Sequence, residues 1–114
     1  MKMNVYAIWV DLVDSTQDLD FFHAVQQFMN HFQERGLVDG FTIERRKFGF
    51  SPDGLGEFHI RIHTNTLDAL DQAFNLASTR TGETEILHKD VFSRVKNFKS
   101  ALYRTFPDPG RINR

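Results

Sequence analysis

A chain of 114 residues with fourteen basic and fifteen acidic side chains, 40% hydrophobic content and no cysteine describes one globular domain with a single core. The net charge of -1 supplies no overall field to draw the chain onto nucleic acid or an anionic membrane. The lack of cysteine removes disulfides, thiolate nucleophiles and any Cys-ligated zinc or iron–sulfur site.

Met1 to Val5 lead into a short apolar run that meets Asp11 and Asp14, so the start of the chain has neither the apolar region nor the cleavage site of a signal peptide. No stretch approaches the roughly 20 apolar residues needed to span a bilayer. A soluble, cytoplasmic protein with no membrane association is the expectation. Twelve residues are Phe, and a domain this small either packs them tightly or shares some with a partner.

Residues 5–12 form a nearly continuous run rich in β-branched and aromatic residues, which predicts a buried strand. Ser15-Thr16-Gln17-Asp18 then offers helix caps. Phe21, Phe22, Val25, Phe28, Met29 and Phe32 follow at helical spacing until Gly36. Residues 41–50 read as a second strand and 51–56 as a turn. Glu57 to His63 alternates polar and apolar without a fault, a strand with Phe58, Ile60 and Ile62 facing the core. A second helix starts from an Asn65 or Thr66 cap, with Leu67, Leu70, Phe74 and Ala77 as its apolar stripe, and Thr81-Gly82 interrupts it. Beyond Glu83 the pattern fits either one long helix or a short helix to about Val95 followed by a strand over 98–106. The second is preferred because it completes a symmetrical topology. Residues 1–106 are thus one domain and 107–114 a terminating tail that frays.

The order strand, helix, strand, strand, helix, strand is the split βαβ arrangement: an α+β domain whose antiparallel sheet carries its helices on one face. The other face must meet water, a ligand or a second subunit. Val5 to Leu12, Gly54 to Ile60 and Ala101 to Asp108 resemble a family of small bacterial proteins of uncharacterised function with a ferredoxin-like fold. That resemblance covers nearly the whole chain and implies a dimeric α+β barrel, a homodimer in which two sheets pack face to face and each subunit keeps a cleft between sheet and helices. It carries no catalytic motif and no cofactor.

The candidate site residues come from the strands. Glu57, His59, Arg61 and His63 share the face of the third strand opposite its core side, and Trp9 and Asp11 share one side of the first with Val5 and Ala7. If that face lines a cleft, His59 or His63 is a candidate general base and Asp11 its orienting carboxylate. Arg61, Glu57 and Trp9 would then hold an anionic or carbonyl-bearing ligand. The plainer reading is a solvent-facing strand, with Trp9 in a dimer interface and Asp11 ending its strand.

A metal site finds little support. His59 and His63 lie roughly 13 Å apart along a strand, and His23 and His31 about 12 Å apart along a helix. Both separations far exceed shared coordination at about 2 Å per ligand.

Glu44-Arg45-Arg46-Lys47-Phe48-Gly49-Phe50 resembles part of the base-stacking motif of RNA-recognition domains. It ends the second strand instead of lying within the third, and Ser51-Pro52 replaces the apolar continuation. The serines lie in no nucleophile-elbow context, and Gly54-Leu55-Gly56 lacks the strand-to-helix setting of a phosphate loop. The functional expectation is a small-molecule-binding dimer, with a cofactor-independent enzyme acting on an aromatic or carbonyl compound as its catalytic form. The alternative is a non-catalytic dimerisation or protein-interaction module, and RNA binding ranks third.

Overall fold

The computed structural model describes residues 4–107. Its elements are β1 (Asn4–Leu12), α1 (Asp18–Gln33), β2 (Gly40–Arg45), β3 (Phe58–Thr64), α2 (Leu67–Ala77), α3 (Gly82–Phe92) and β4 (Val95–Arg104), with one 3-10 turn at Ser15–Gln17. The strands form one sheet in the order β2-β3-β1-β4, and every neighbouring pair is antiparallel. This is the ferredoxin-like α+β architecture expected from the element order. Among the described residues no helix is long and apolar enough to cross a membrane.

Register divides the sheet into two unlike faces. Ile8 pairs with Ile60 and Val10 with Phe58, while Trp9 between them pairs with His59. Because successive side chains alternate in direction, Ile8, Val10, Phe58, Ile60 and Ile62 lie buried beneath the helices. Val5, Ala7, Trp9, Asp11, His59, Arg61 and His63 therefore share the uncovered face.

The first helix begins differently from expectation. Asp14, not Ser15 or Thr16, caps the 3-10 turn, accepting from the Thr16 backbone N–H at 3.0 Å and its hydroxyl at 2.7 Å. These bonds hold the Asp14 carboxyl below the usual range. Asp18 and Asp20 then occupy the first turn of α1, where its dipole favours negative charge. Phe21, Val25, Phe28, Met29 and Phe32 pack into the core. Phe22 is excluded, since it sits one residue off the buried stripe and is 39% exposed.

The second strand ends at Arg45, five residues short of the expected boundary. Four charged residues in succession, Glu44 to Lys47, break the alternation. The chain then turns through Phe48 and Gly49, both at positive φ (57° and 72°), with the Phe50 N–H donating to the Lys47 carbonyl at 3.1 Å. Phe48 and Phe50 are left 89% and 82% exposed, so the aromatic part of the stretch likened to an RNA-binding motif lies on a loop outside the sheet. The loop closes at Gly56. A Cβ there would lie 2.5 Å from the Val10 carbonyl carbon and oxygen, so backbone approaches backbone.

The return crossover is two helices, divided at Thr81-Gly82 as expected. The Thr66 hydroxyl accepts from the Ala69 N–H at 3.1 Å and starts α2. Arg80 and Gly82, at φ 57° and 67°, redirect the chain into α3. Of the stripe expected on α2, Leu70 is buried, whereas Leu67 and Phe74 are each 45% exposed and Ala73 takes the inner position. The third helix stops at Phe92, and β4 starts at Val95 and ends at Arg104, so the short-helix-then-strand reading holds with shifted boundaries. A clamp joins α3 to α1. Arg35 Nη1 lies 3.1 Å from His31 Nδ1, which places the imidazole proton on Nε2, 2.7 Å from the Thr84 hydroxyl. Of the tail expected over 107–114, residues 108–114 lie outside the described residues.

Candidate functional site

All six side chains singled out in the sequence are on or beside the uncovered face, held by β1, β3 and, for Glu57, the residue just before β3. Trp9 and His59 stack with ring centroids 4.5 Å apart and planes 6° from parallel. On the adjoining strand Glu44 places a carboxylate oxygen 3.3 Å from His59 Nδ1. Burial nevertheless pushes the His59 imidazole below its ordinary value, with Glu44 opposing and Arg61 adding to the shift. His59 Nε2 and His63 Nδ1 are buried without a hydrogen-bond partner among the described residues.

Asp11 reaches neither histidine. One carboxylate oxygen accepts from the Glu57 backbone N–H at 2.9 Å and the other from the Asn97 amide at 3.0 Å. These bonds, Asn97 first, lower its pKa. Asn97 sits at φ 58° beside the register shift between Trp9 and Asp11, so Asp11 pins a bulge in β4 to the start of β3. Glu57 is likewise engaged by Arg45 Nε at 2.7 Å, and Arg45 also reaches Asp18 at 3.2 Å. The ion pairs raise the Arg45 pKa, through Glu57 first. The acid–base arrangement considered in the sequence is therefore not assembled within one subunit. A shallow hollow of about 230 Å³ does adjoin Trp9 and His59, walled by the loop residues Phe50, Pro52, Leu55 and Gly56.

The large concavity lies on the opposite side of the same strands. A cavity of about 390 Å³ opens between the sheet and all three helices, within the size range of ligand sites, about 300–1,000 Å³. Its floor is Tyr6, Ile8, Ile60 and Ile62 from the sheet. Its walls include Phe28 and Phe32 from α1, Ala73 and Phe74 from α2, and His88 and Phe92 from α3, with Phe98 of β4 at the side. Among the described residues no Lys, Arg, Asp or Glu lines it. Tyr6 meets Phe74 edge to face at 5.0 Å. The His88 ring stacks on Phe92 at 4.5 Å and meets Phe28 edge-on at 5.8 Å.

His88 was not singled out in the sequence. The available signal was its spacing: with Thr84 and Val91 it repeats at the i, i+4, i+7 positions of one helical stripe, and both those neighbours are buried. Cavity residues otherwise read as ordinary core, because a wall and a packed interior draw on the same side chains.

The sequence model of the family of unknown function DUF6614 matches residues 3–114, and the chain belongs to that family. No curated protein matches it. Among solved structures it is similar to a variant of SnoaB, a cofactor-independent oxygenase from Streptomyces nogalater, with TM-score 0.67 and 8% identity over 95% of this chain and 96% of that one. It is also similar to a dimeric ferredoxin-like protein of unknown function from Jannaschia sp. CCS1, with TM-score 0.65 and 8% identity over 89% and 97%. A third similar structure is a dabb family protein with a ferredoxin-like fold from Mesorhizobium loti MAFF303099, with TM-score 0.60 and 12% identity over 90% and 96%. Likeness at these identities carries the fold and leaves function to the site itself.

Proposed function

We propose that this DUF6614 protein binds a small, uncharged, predominantly apolar molecule in the helix-side cavity, and that it does so as a homodimer joined through the uncovered sheet faces. The observation that carries the reading is the cavity itself: about 390 Å³ of concave space, lined chiefly by aromatic and aliphatic side chains and, among the described residues, by no Lys, Arg, Asp or Glu. An ion entering it would lose hydration without gaining a counter-charge, whereas an apolar guest gains by leaving water. The dimer is favoured by the mixed character of the other face. Ala7 and Val5 lie buried among their neighbours on it, and Tyr103 of β4 is largely exposed opposite Val5. The Jannaschia neighbour is itself described as dimeric. In this reading Trp9, His59, Arg61 and His63 serve assembly, with Asp11 and Glu57 holding the strand ends beneath them.

Cofactor-independent turnover of an aromatic or carbonyl compound is the second reading. It is favoured by His88 in the cavity wall and by the oxygenase activity named for the Streptomyces nogalater neighbour.

Naphthalene, titrated calorimetrically, tests the first reading. Wild type is expected to bind it. Ala73→Trp, which plugs the cavity from α2, is expected to bind at least tenfold more weakly while still folding, and Trp9→Ala on the other face to bind as wild type. Equal affinity in wild type and Ala73→Trp would overturn the cavity as the binding site.

A further inference from the structure

We infer that the cavity's ligand is a neutral hydroxylated aromatic compound of the phenol or naphthol class, and that His88 is the residue that reads its hydroxyl. The inference rests on the cavity reading above and narrows it. Three observations carry it.

The first is the chemistry of the wall. Phe28, Phe32, Phe74, Phe92 and Phe98 contribute five rings, and Tyr6 and His88 two more. A wall of aromatic edges and faces favours an aromatic guest over an aliphatic one of equal area, through offset and edge-to-face contacts. With no Lys, Arg, Asp or Glu among the described residues of the lining, a carboxylate or phosphate on that guest would be stranded.

The second is the state of the His88 ring. Of the five histidines, His31 is held by Thr84 and Arg35, and His59 by Glu44. His63 lies on the opposite face, and His23 meets the partly exposed Phe22 on α1. His88 alone lines the cavity. Its plane is fixed by Phe92 and Phe28, and its nitrogens make no hydrogen bond to any described residue. A neutral imidazole donates through one nitrogen and accepts through the other. A phenolic hydroxyl is its complement, because it too both donates and accepts.

The third is economy of polar groups. Among the described residues the other polar side chain in the lining is Tyr6, whose hydroxyl likewise makes no hydrogen bond to a described residue. A site with one or two polar points in an apolar wall orients a ligand carrying one or two polar substituents. Such a site discriminates strongly against an analogue lacking them.

The test compares 2-naphthol with naphthalene on wild type, His88→Phe, His88→Gln and Tyr6→Phe, each first shown to be folded by its thermal melt. Losing one uncharged hydrogen bond corresponds to roughly a tenfold change in affinity. His88→Phe is therefore expected to weaken 2-naphthol about tenfold and to leave naphthalene within about twofold, while His88→Gln, which can still donate and accept, keeps most of the preference. Equal weakening of both ligands by His88→Phe would make His88 a packing residue and overturn the inference, as would a selective loss in Tyr6→Phe alone. A wild-type protein that binds neither ligand would overturn the cavity reading beneath it.

Discussion

The two faces of this sheet are built from alternate residues of the same strands, yet they present opposite chemistries. On the helix side Ile8, Ile60 and Ile62 floor an apolar cavity; on the other side their immediate neighbours Trp9, His59, Arg61 and His63 form a mixed polar surface. The difference teaches that polarity by itself does not mark a site. The polar face is engaged at most of its groups: Asp11 by Glu57 and Asn97, Glu57 by Arg45, His59 Nδ1 by Glu44, and its two nitrogens without a partner among the described residues, His59 Nε2 and His63 Nδ1, are themselves buried. In the cavity the polar groups are few, and Tyr6 and His88 bond to no described residue. Available hydrogen-bonding capacity beside concave apolar space is what a ligand can use.

Three substitutions sharpen or break that contrast. The largest effect is expected at Gly56→Ala, where the new Cβ meets the Val10 backbone and must push β1 from the loop that closes onto it. A loss of about 3 kcal/mol, read by urea denaturation, accords with forced overpacking against a backbone that cannot rotate away. A loss under 1 kcal/mol would show that the approach is not a close one.

Thr84→Val ranks next. It keeps the shape but leaves the buried His31 N–H without an acceptor, costing about 1–3 kcal/mol. Because it loosens the helix bearing His88, it should weaken naphthalene binding while leaving the dimer equilibrium unchanged. A change in dimerisation instead would mean that the two faces are mechanically coupled.

The smallest effect is a pH slope on the uncovered face. The folded His59 imidazole lies below its ordinary value of 6.5 because it is desolvated, so the unfolded chain takes up a proton that the folded one resists. Stability from this source is complete above about pH 6.5 and declines as the pH falls below it. His59→Gln should flatten that part of the slope between pH 7.5 and 5.5 in denaturation and sedimentation measurements, with naphthalene affinity unchanged. A slope as steep as that of wild type would remove His59 as its source.

Much of the fold was legible because the informative segments follow simple periods. The alternation over Glu57 to His63 and the spacing from Phe21 to Phe32 each specified an element and its buried face, and the structure keeps both. Legibility failed where backbone conformation outweighs pattern. Phe48 and Asn97 sit at positive φ, a state no hydrophobic count reports, and they set the end of β2 and the bulge in β4. The candidate site divided in the same way. Placement of Trp9, His59, Arg61 and His63 on one face followed from period 2, but the partners of Asp11 come from residues 46 and 86 positions away. The cavity was the least legible feature, because Phe28, Ala73 and His88 have no sequence mark that separates lining from packing.

The most direct test of the central contrast is a methyl and indole NMR map of the protein titrated with naphthalene. The account predicts shifts at Val25, Ile60, Ala73 and Val91, with the Ala7 methyl and the Trp9 indole unmoved, although Ala7 and Ile60 lie on neighbouring strands. Shifts centred on Trp9 and Ala7, with Ile60 and Ala73 silent, would place the ligand on the uncovered face and contradict it.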